Sequence, residues 1–261
     1  MALQAESSGR EFDRRISNSD GASMSHGDSV AVYANSHGFS GAERSTHFSL
    51  SCSLIAGAND SMQRDYWYSS ALRYSDLEAA ASIGKQAAER TIRRMNPRSI
   101  DTGNYPVLFS AETARSLIGH FLGAVSGGAL YRRASFLLDS VDTKVFPDWF
   151  SLLERPHIPR GFGSANFDAE GVATREQHLV QSGVLKHYLL GSYSARKLSL
   201  QSTGNAGGVH NLDTTANAGD LNDIVRNMGR GLLVTELMGQ GVNAITGDYS
   251  RGAAGRARGK G

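Results

Sequence analysis

His120 is the one histidine in the stretch SLIGHFLGAVSGGALYRR, Ser116 to Arg133, where an apolar stripe at helical spacing meets glycines that a helix disfavours. An imidazole can serve as a base or a metal ligand, but a hydrolytic zinc needs three or four N, O or S ligands and a base beside its bound water. His120 alone supplies neither. His210, Glu236 and Asp248 lie in or beside glycine-rich loops at spacings that fit no metal geometry, and read as turn or hydrogen-bonding residues. Cys52 is the single cysteine, so it has no partner for an internal disulfide or a metal knuckle and reads as a small buried hydrophobe. The sequence contains no His-Glu-x-x-His, no Gly-x-Ser-x-Gly elbow and no P-loop. Gly239 to Ala244 (GQGVNA) spells G-x-G-x-x-A after a strand, as a dinucleotide site would. No helix pattern follows it, because ITGDYS at Ile245 to Ser250 reads as a turn, so a structural glycine loop is the expectation.

The elements that would position these residues follow from periodicity. Phe48, Leu50, Cys52 and Leu54 alternate with Ser49, Ser51 and Ser53, which predicts a strand with one buried face. Asn35 to Gly38 (NSHG) turns back to another strand at Ser29 to Ala34, and DYWYSS at Asp65 to Ser70 carries the aromatics of a third. Ser75-Asp76-Leu77-Glu78 reads as a capping box opening a helix from Asp76 to Arg94, stopped by Pro97. Asn96 to Asn104 (NPRSIDTGN) is the expected domain boundary. Beyond it come a short strand at Pro106 to Phe109, the Ser116–Arg133 helix, and a hairpin of Glu176 to Val180 with Val184 to Leu189. A helix at Asp220 to Met228 and a strand at Leu232 to Leu237 follow, with glycine-rich loops at 204–208 and 239–255. The whole reads as α+β: antiparallel sheets with a few packed helices in two sub-domains, 1–98 and 99–255, and a disordered basic tail at 256–261.

On the 116–133 helix, Leu117, Ile118, Phe121, Leu122 and Val125 form the core face. Gly119, Gly123 and Gly127 recur every fourth residue beside His120 and Ala124, at a cost of about 3 kcal/mol relative to alanine. Close backbone approach is the expected compensation: tight packing inside the domain, or a groove for a ligand or partner.

Composition narrows the functional classes. At 261 residues and 40 % hydrophobic content the chain is long enough for one large or two ordinary cores. Arg256, Arg258 and Lys260 supply three positives, without which the net charge of +2 becomes −1. No basic stripe interleaved with aromatics remains, so no nucleic-acid partner is expected. The start, MALQAESSGREFDRR, has no apolar segment, and nowhere do eighteen apolar residues run together, so no signal peptide, no membrane partner and a cytoplasmic location are expected.

Seven ordered strings carry a resemblance. They are NSDGAS at 18–23, NSHGF at 35–39, GHFLGAVSGGALYR at 119–132, FLLDS at 136–140, SYSARKL at 192–198, STGNAGG at 202–208 and TELMGQGVNAITGDYSRGAAG at 235–255. Through them the chain resembles the TldD/PmbA peptidases, the modulator of gyrase family, and within it the PmbA (TldE) branch. The resemblance implies a cytoplasmic two-subunit metallopeptidase whose TldD-like subunit holds zinc with a helical His-Glu-x-x-x-His. On this chain those motif positions fall at Gly119, His120 and Ala124, so the resemblance implies no catalytic residue and no metal here, with zinc in the partner subunit. It further implies that small or unfolded peptides are the substrates. The candidates to face the partner or a peptide are Gly119, His120, Gly123, Gly127, Glu236, Gly239 and Gly241. A binding or regulatory module acting alone, without proteolysis, is the alternative, and an independent hydrolase with an unrecognised site is the weakest reading. Family members run longer at both ends, and the final RARGKG in place of their continuation suits a truncated or frame-shifted reading.

Overall fold

A computed structural model describes residues 1–215 and 219–258. The chain divides into two compact units, Met1–Ser99 with Arg160–Phe162, and Ile100–Pro159 with Gly163–Gly261.

The first unit is an antiparallel sheet in the order β1 (Ile16–Ala34), β2 (Ser40–Ala56), β3 (Gln63–Ala71), packed on α1 (Ala2–Arg10) and α2 (Ala80–Arg93). The period-two pattern of β2 does what it predicts: Leu50, Cys52, Leu54 and Ala56 are fully buried against Ala5, Ile83 and Ala87. Burial pushes the Cys52 thiol up to about 11, as suits an inert packed cysteine. The two helices meet through glycine, since a Cβ on Gly84 would run into the carbonyl of Ala5. The NSHG turn is held by Asn35, whose Oδ1 accepts from the amides of His37 and Phe39 at 3.0 and 3.3 Å. The capping box does not form. Tyr74–Asp76 is a single 3-10 turn and the helix starts at Ala80. The would-be capping groups are engaged elsewhere: Ser75 with the Asp76 carboxylate, and Glu78 as acceptor for Trp67 Nε1 and Gln86.

The second unit contains two sheets, one ordered β10-β9-β4 and the other β7-β6-β5-β8. The first joins β4 (Val107–Phe109), β9 (Gly231–Asn243) and β10 (Asp248–Arg258), and β4 pairs parallel to β9. The second joins β5 (Leu152–Glu154), β6 (Gln177–Gln181), β7 (Val184–Leu185) and β8 (Leu212–Thr214), all antiparallel. Between β6 and β7, Ser182 and Gly183 have φ of 48° and 81°, the pair of left-handed residues of a tight hairpin turn. The helices are α3 (Ala111–Ala124), α4 (Gly127–Tyr131), α5 (Ser192–Lys197) and α6 (Leu221–Met228), the last capped by Asp220, which accepts from Asp223 N. Phe121, Val125, Leu130, Leu152, Leu179 and Leu190 belong to the core of this unit.

Three expectations are corrected here. The 116–133 helix is two helices, because Gly127 N donates to Leu189 O (2.8 Å) and Leu189 N to Val125 O (3.0 Å), drawing the backbone at Ser126 out of the helical ladder. The glycine-rich segment 239–255 is not a loop but most of the β9–β10 hairpin. Gly241 and Gly255 sit where a Cβ would collide with the partner strand, at the carbonyls of Ser250 and Leu233, whereas Gly239 and Gly247 have positive φ, 77° and 83°. The basic tail is strand as far as it is described: Arg256, Ala257 and Arg258 pair with Leu233, Leu232 and Gly231, and only residues 259–261 lie outside the described residues.

Candidate functional site

Helix α3 presents Gly119 and Gly123 on its exposed side, and a Cβ built on either meets nothing within 4 Å. The close approach expected of these two glycines is therefore absent within the described residues. It exists only at Gly127, where a Cβ would strike the Ser194 side chain. Backbone economy inside the domain explains Gly127; open surface is what Gly119 and Gly123 provide.

His120 is partly buried, with its ring edge-on to Tyr249 at 5.9 Å and its Nε2 3.5 Å from an Arg251 Nη1. Gly119, His120 and Gly123 line one side of a cavity of about 610 Å³. Its other walls are apolar, chiefly Phe121, Phe136, Phe146 and Val242, with Gln240, Asn243 and Tyr249 from the β9–β10 hairpin. Ala124 is completely buried in the core and does not reach this cavity. Glu236, Gly239 and Gly241 lie on β9 but do not line it. The structure thus brings together Gly119, His120 and Gly123, places Gly127 at a second cavity, and leaves the three β9 candidates apart.

The donor set decides the fit of a zinc ion. At Gly119, His120 and Ala124, where the resemblance would place a zinc motif, the chain offers a backbone glycine, one imidazole and a buried methyl, short of the ligands a hydrolytic zinc requires. Among the described residues no group of three or more His, Cys, Asp or Glu side chains is placed to hold a metal ion. The residues present do not fit zinc.

The second cavity, about 540 Å³, lies against α4 and α5 and shares Gly123 with the first. Sequence reasoning passed over its polar residues. Its floor is the 203–210 loop, where Gly204, Gly207 and Gly208 have φ of 76°, 95° and 129°. That loop is pinned by Glu154, which has no exposed surface. Glu154 Oε1 accepts from Asn205 Nδ2 and from both N and Nδ1 of His210, each at 2.8 Å. Its Oε2 accepts from Gln177 Nε2 at 2.8 Å. Burial pushes the Glu154 carboxyl up, but the His210 and Gln177 bonds outweigh it and hold the group below its ordinary range. Nearby, burial pulls the His187 imidazole down. The sequence signal for Glu154 is slight: a charged residue directly after Leu152 and Leu153, costly to bury unless satisfied.

With this geometry in place, comparison with known proteins sets the class. The model of the PmbA/TldA metallopeptidase central domain matches residues 1–95, and that of its C-terminal domain matches residues 102–260. The chain belongs to the PmbA/TldD metallopeptidase family. It is 47 % identical over 256 residues to the Metalloprotease PmbA homolog of Haemophilus influenzae, covering 98 % of this chain and 57 % of that protein. Against Metalloprotease PmbA of Escherichia coli O157:H7 the identity is 46 % over 255 residues, with the same 98 % and 57 % coverage. The chain therefore spans little more than half the length of these curated relatives. Among solved structures, one from Bacteroides thetaiotaomicron, described as a candidate modulator of DNA gyrase, superposes with a TM-score of 0.91 at 30 % identity, covering 98 % of this chain and 58 % of that one. TldE from Thermococcus kodakarensis shares the fold, with a TM-score of 0.79 at 21 % identity over 91 % of this chain and 56 % of that one. Among the described residues no helix is long and apolar enough to cross a membrane.

Proposed function

We propose that this chain is the non-zinc, PmbA-type subunit of a heterodimeric cytoplasmic peptidase, enclosing small or unfolded peptides for a zinc-bearing TldD-like partner. The observation that supports this reading is the open space over Gly119 and Gly123 on α3, in a chain of a metallopeptidase family, with Gly119, His120 and Ala124 at the positions where the resemblance implies a zinc motif. A helix face cleared of side chains suits contact with another backbone, whether peptide or partner. The test is co-purification with a TldD-like subunit followed by metal analysis of each separated chain. Zinc in the partner alone, with peptidase activity only in the pair, supports the proposal; zinc in this chain, or no complex, refutes it. The description of the Bacteroides neighbour as a candidate gyrase modulator favours a second reading, a binding module without proteolysis, which would show as partner binding with no peptidase activity in any combination.

A further inference from the structure

We propose that the cavity between α4, α5 and the 203–210 loop binds the primary ammonium group of a peptide, with Glu170 as its counter-ion. This rests on the peptide-handling reading above and specifies which chemical group is held and where. Glu170 is the only side chain with a formal charge at neutral pH among the residues lining this cavity. One of its oxygens, Oε2, accepts from the amide of Ser192 at 2.7 Å. The other, Oε1, has no hydrogen bond within the described residues and faces Gly191, where a Cβ would stand 3.5 Å from it. A carboxylate with one oxygen fixed and one left over is a preorganised acceptor for a cation, because the order it needs is already present before binding.

The surroundings are built to hold that carboxylate still. Asp168, which is 4 % exposed, accepts the Glu170 amide on Oδ1 (2.9 Å) and the Ala206 amide on Oδ2 (3.0 Å). One buried acid thus fixes the backbone of the ligand-facing acid and of the glycine floor together, while Glu154 pins that floor again at Asn205 and His210. Tyr131 and Tyr193 stand edge to face at 5.6 Å as an aromatic wall. Arg132 and Lys197 lie over these two rings and are not among the lining residues, so the rings contribute apolar surface and Glu170 carries the charge recognition. Gly123 lines both this cavity and the apolar one, so an extended peptide anchored at Glu170 passes over a bare stretch of α3 and reaches Phe121 and Phe146 with a bulky side chain.

An α-amino terminus and a lysine side chain share this chemistry, and the experiment separates them. The probe is Ala-Ala-Phe-Ala-Ala with a C-terminal fluorophore, followed by fluorescence anisotropy against the full chain. Three forms are compared: free amine, N-acetylated, and N-acetylated with lysine in place of the second alanine. The free-amine peptide is expected to bind at least tenfold more tightly than the acetylated one; recovery of affinity by the lysine form alone assigns the site to side-chain ammonium and also supports it. Glu170→Gln, which keeps an oxygen for the Ser192 amide, should bring the ammonium-bearing peptides down to the acetylated level. Gly128→Leu, where a Cβ meets only the far end of Arg132 at 3.5 Å, should fill the cavity and abolish binding of every peptide without lowering Tm. Equal affinity of all three peptides, no binding of any, or indifference to Glu170→Gln overturns the inference. Association with a TldD-like subunit, measured on the same preparations, distinguishes that outcome from failure of the heterodimer reading.

Discussion

Gly123 shows how a single residue separates two explanations that its type alone leaves tied. Packing inside the domain would make any side chain there destabilising, whereas open space makes alanine favourable by removing the helix cost of glycine, about 1 kcal/mol. Because nothing stands within 4 Å of a Cβ at Gly119 or Gly123, the variants Gly119→Ala and Gly123→Ala are expected to raise Tm by a few degrees, and a fall in either would show hidden packing. Glu154 and His187 give a pH dependence at the same scale. His187 is held neutral by burial, so below its ordinary value of 6.5 the unfolded chain takes up a proton that the folded one refuses, and stability falls as pH drops through that range. Glu154 is held ionised below its ordinary 4.5, so its contribution is complete above that pH and is lost as pH falls further through the folded value. Urea midpoints of the second unit should therefore decline in two stages on acidification, and His187→Gln should remove the upper stage only. A flat midpoint between pH 7 and pH 5 in the unaltered chain would contradict this account of His187.

At the scale of elements, legibility followed how local the cause was. The β2 alternation, the Ser182-Gly183 hairpin and the Asp220-capped helix were readable because period and turn chemistry lie within a few residues. The break between α3 and α4 was not, because its cause is Leu189, some sixty positions away, bonding to the backbone on both sides of Ser126. The β9–β10 hairpin was hidden for a related reason: its glycines read as loop formers, yet Gly241 and Gly255 are there because the partner strand's carbonyl occupies the place of a side chain. The candidate site was legible only in part. Gly119, His120 and Gly123 were found from helical spacing, while Glu170 and Glu154 depend on loops that fold back over long sequence distances. Gly127→Ala tests the α4–α5 contact at this scale. With Ser194 against it, that methyl is expected to cost about 1 to 3 kcal/mol, read as a lower denaturant midpoint with unchanged slope, in contrast to the gain at Gly123. Equal effects at both positions would mean that the two helices do not differ in packing.

At the scale of the whole molecule, the proposal that this chain holds no zinc turns on α3, and the packing of that helix governs whether a zinc motif can be written into it. The purified chain is expected to retain no stoichiometric zinc after dialysis and to cleave no peptide alone, since a lone imidazole at His120 is too few ligands to hold the ion. Writing the motif back as Gly119→His, His120→Glu and Ala124→His does not rebuild the site. Position 119 faces open space and accepts an imidazole, but position 124 is fully buried beside Phe121 and Val125, so a histidine there meets the core and reaches no ion. Burying that polar ring without a partner, in a space sized for a methyl, is expected to cost several kcal/mol by overpacking and desolvation together, of the order of 3 kcal/mol or more. Gly119→His with His120→Glu alone should fold normally, and adding Ala124→His should lower Tm sharply without raising zinc content. Elemental analysis after dialysis checks this: about one zinc per chain in the unaltered protein would refute the non-zinc reading, and about one in a triple variant of normal stability would show that the helix holds the geometry of a metal site and that its residues, not its packing, had been the obstacle.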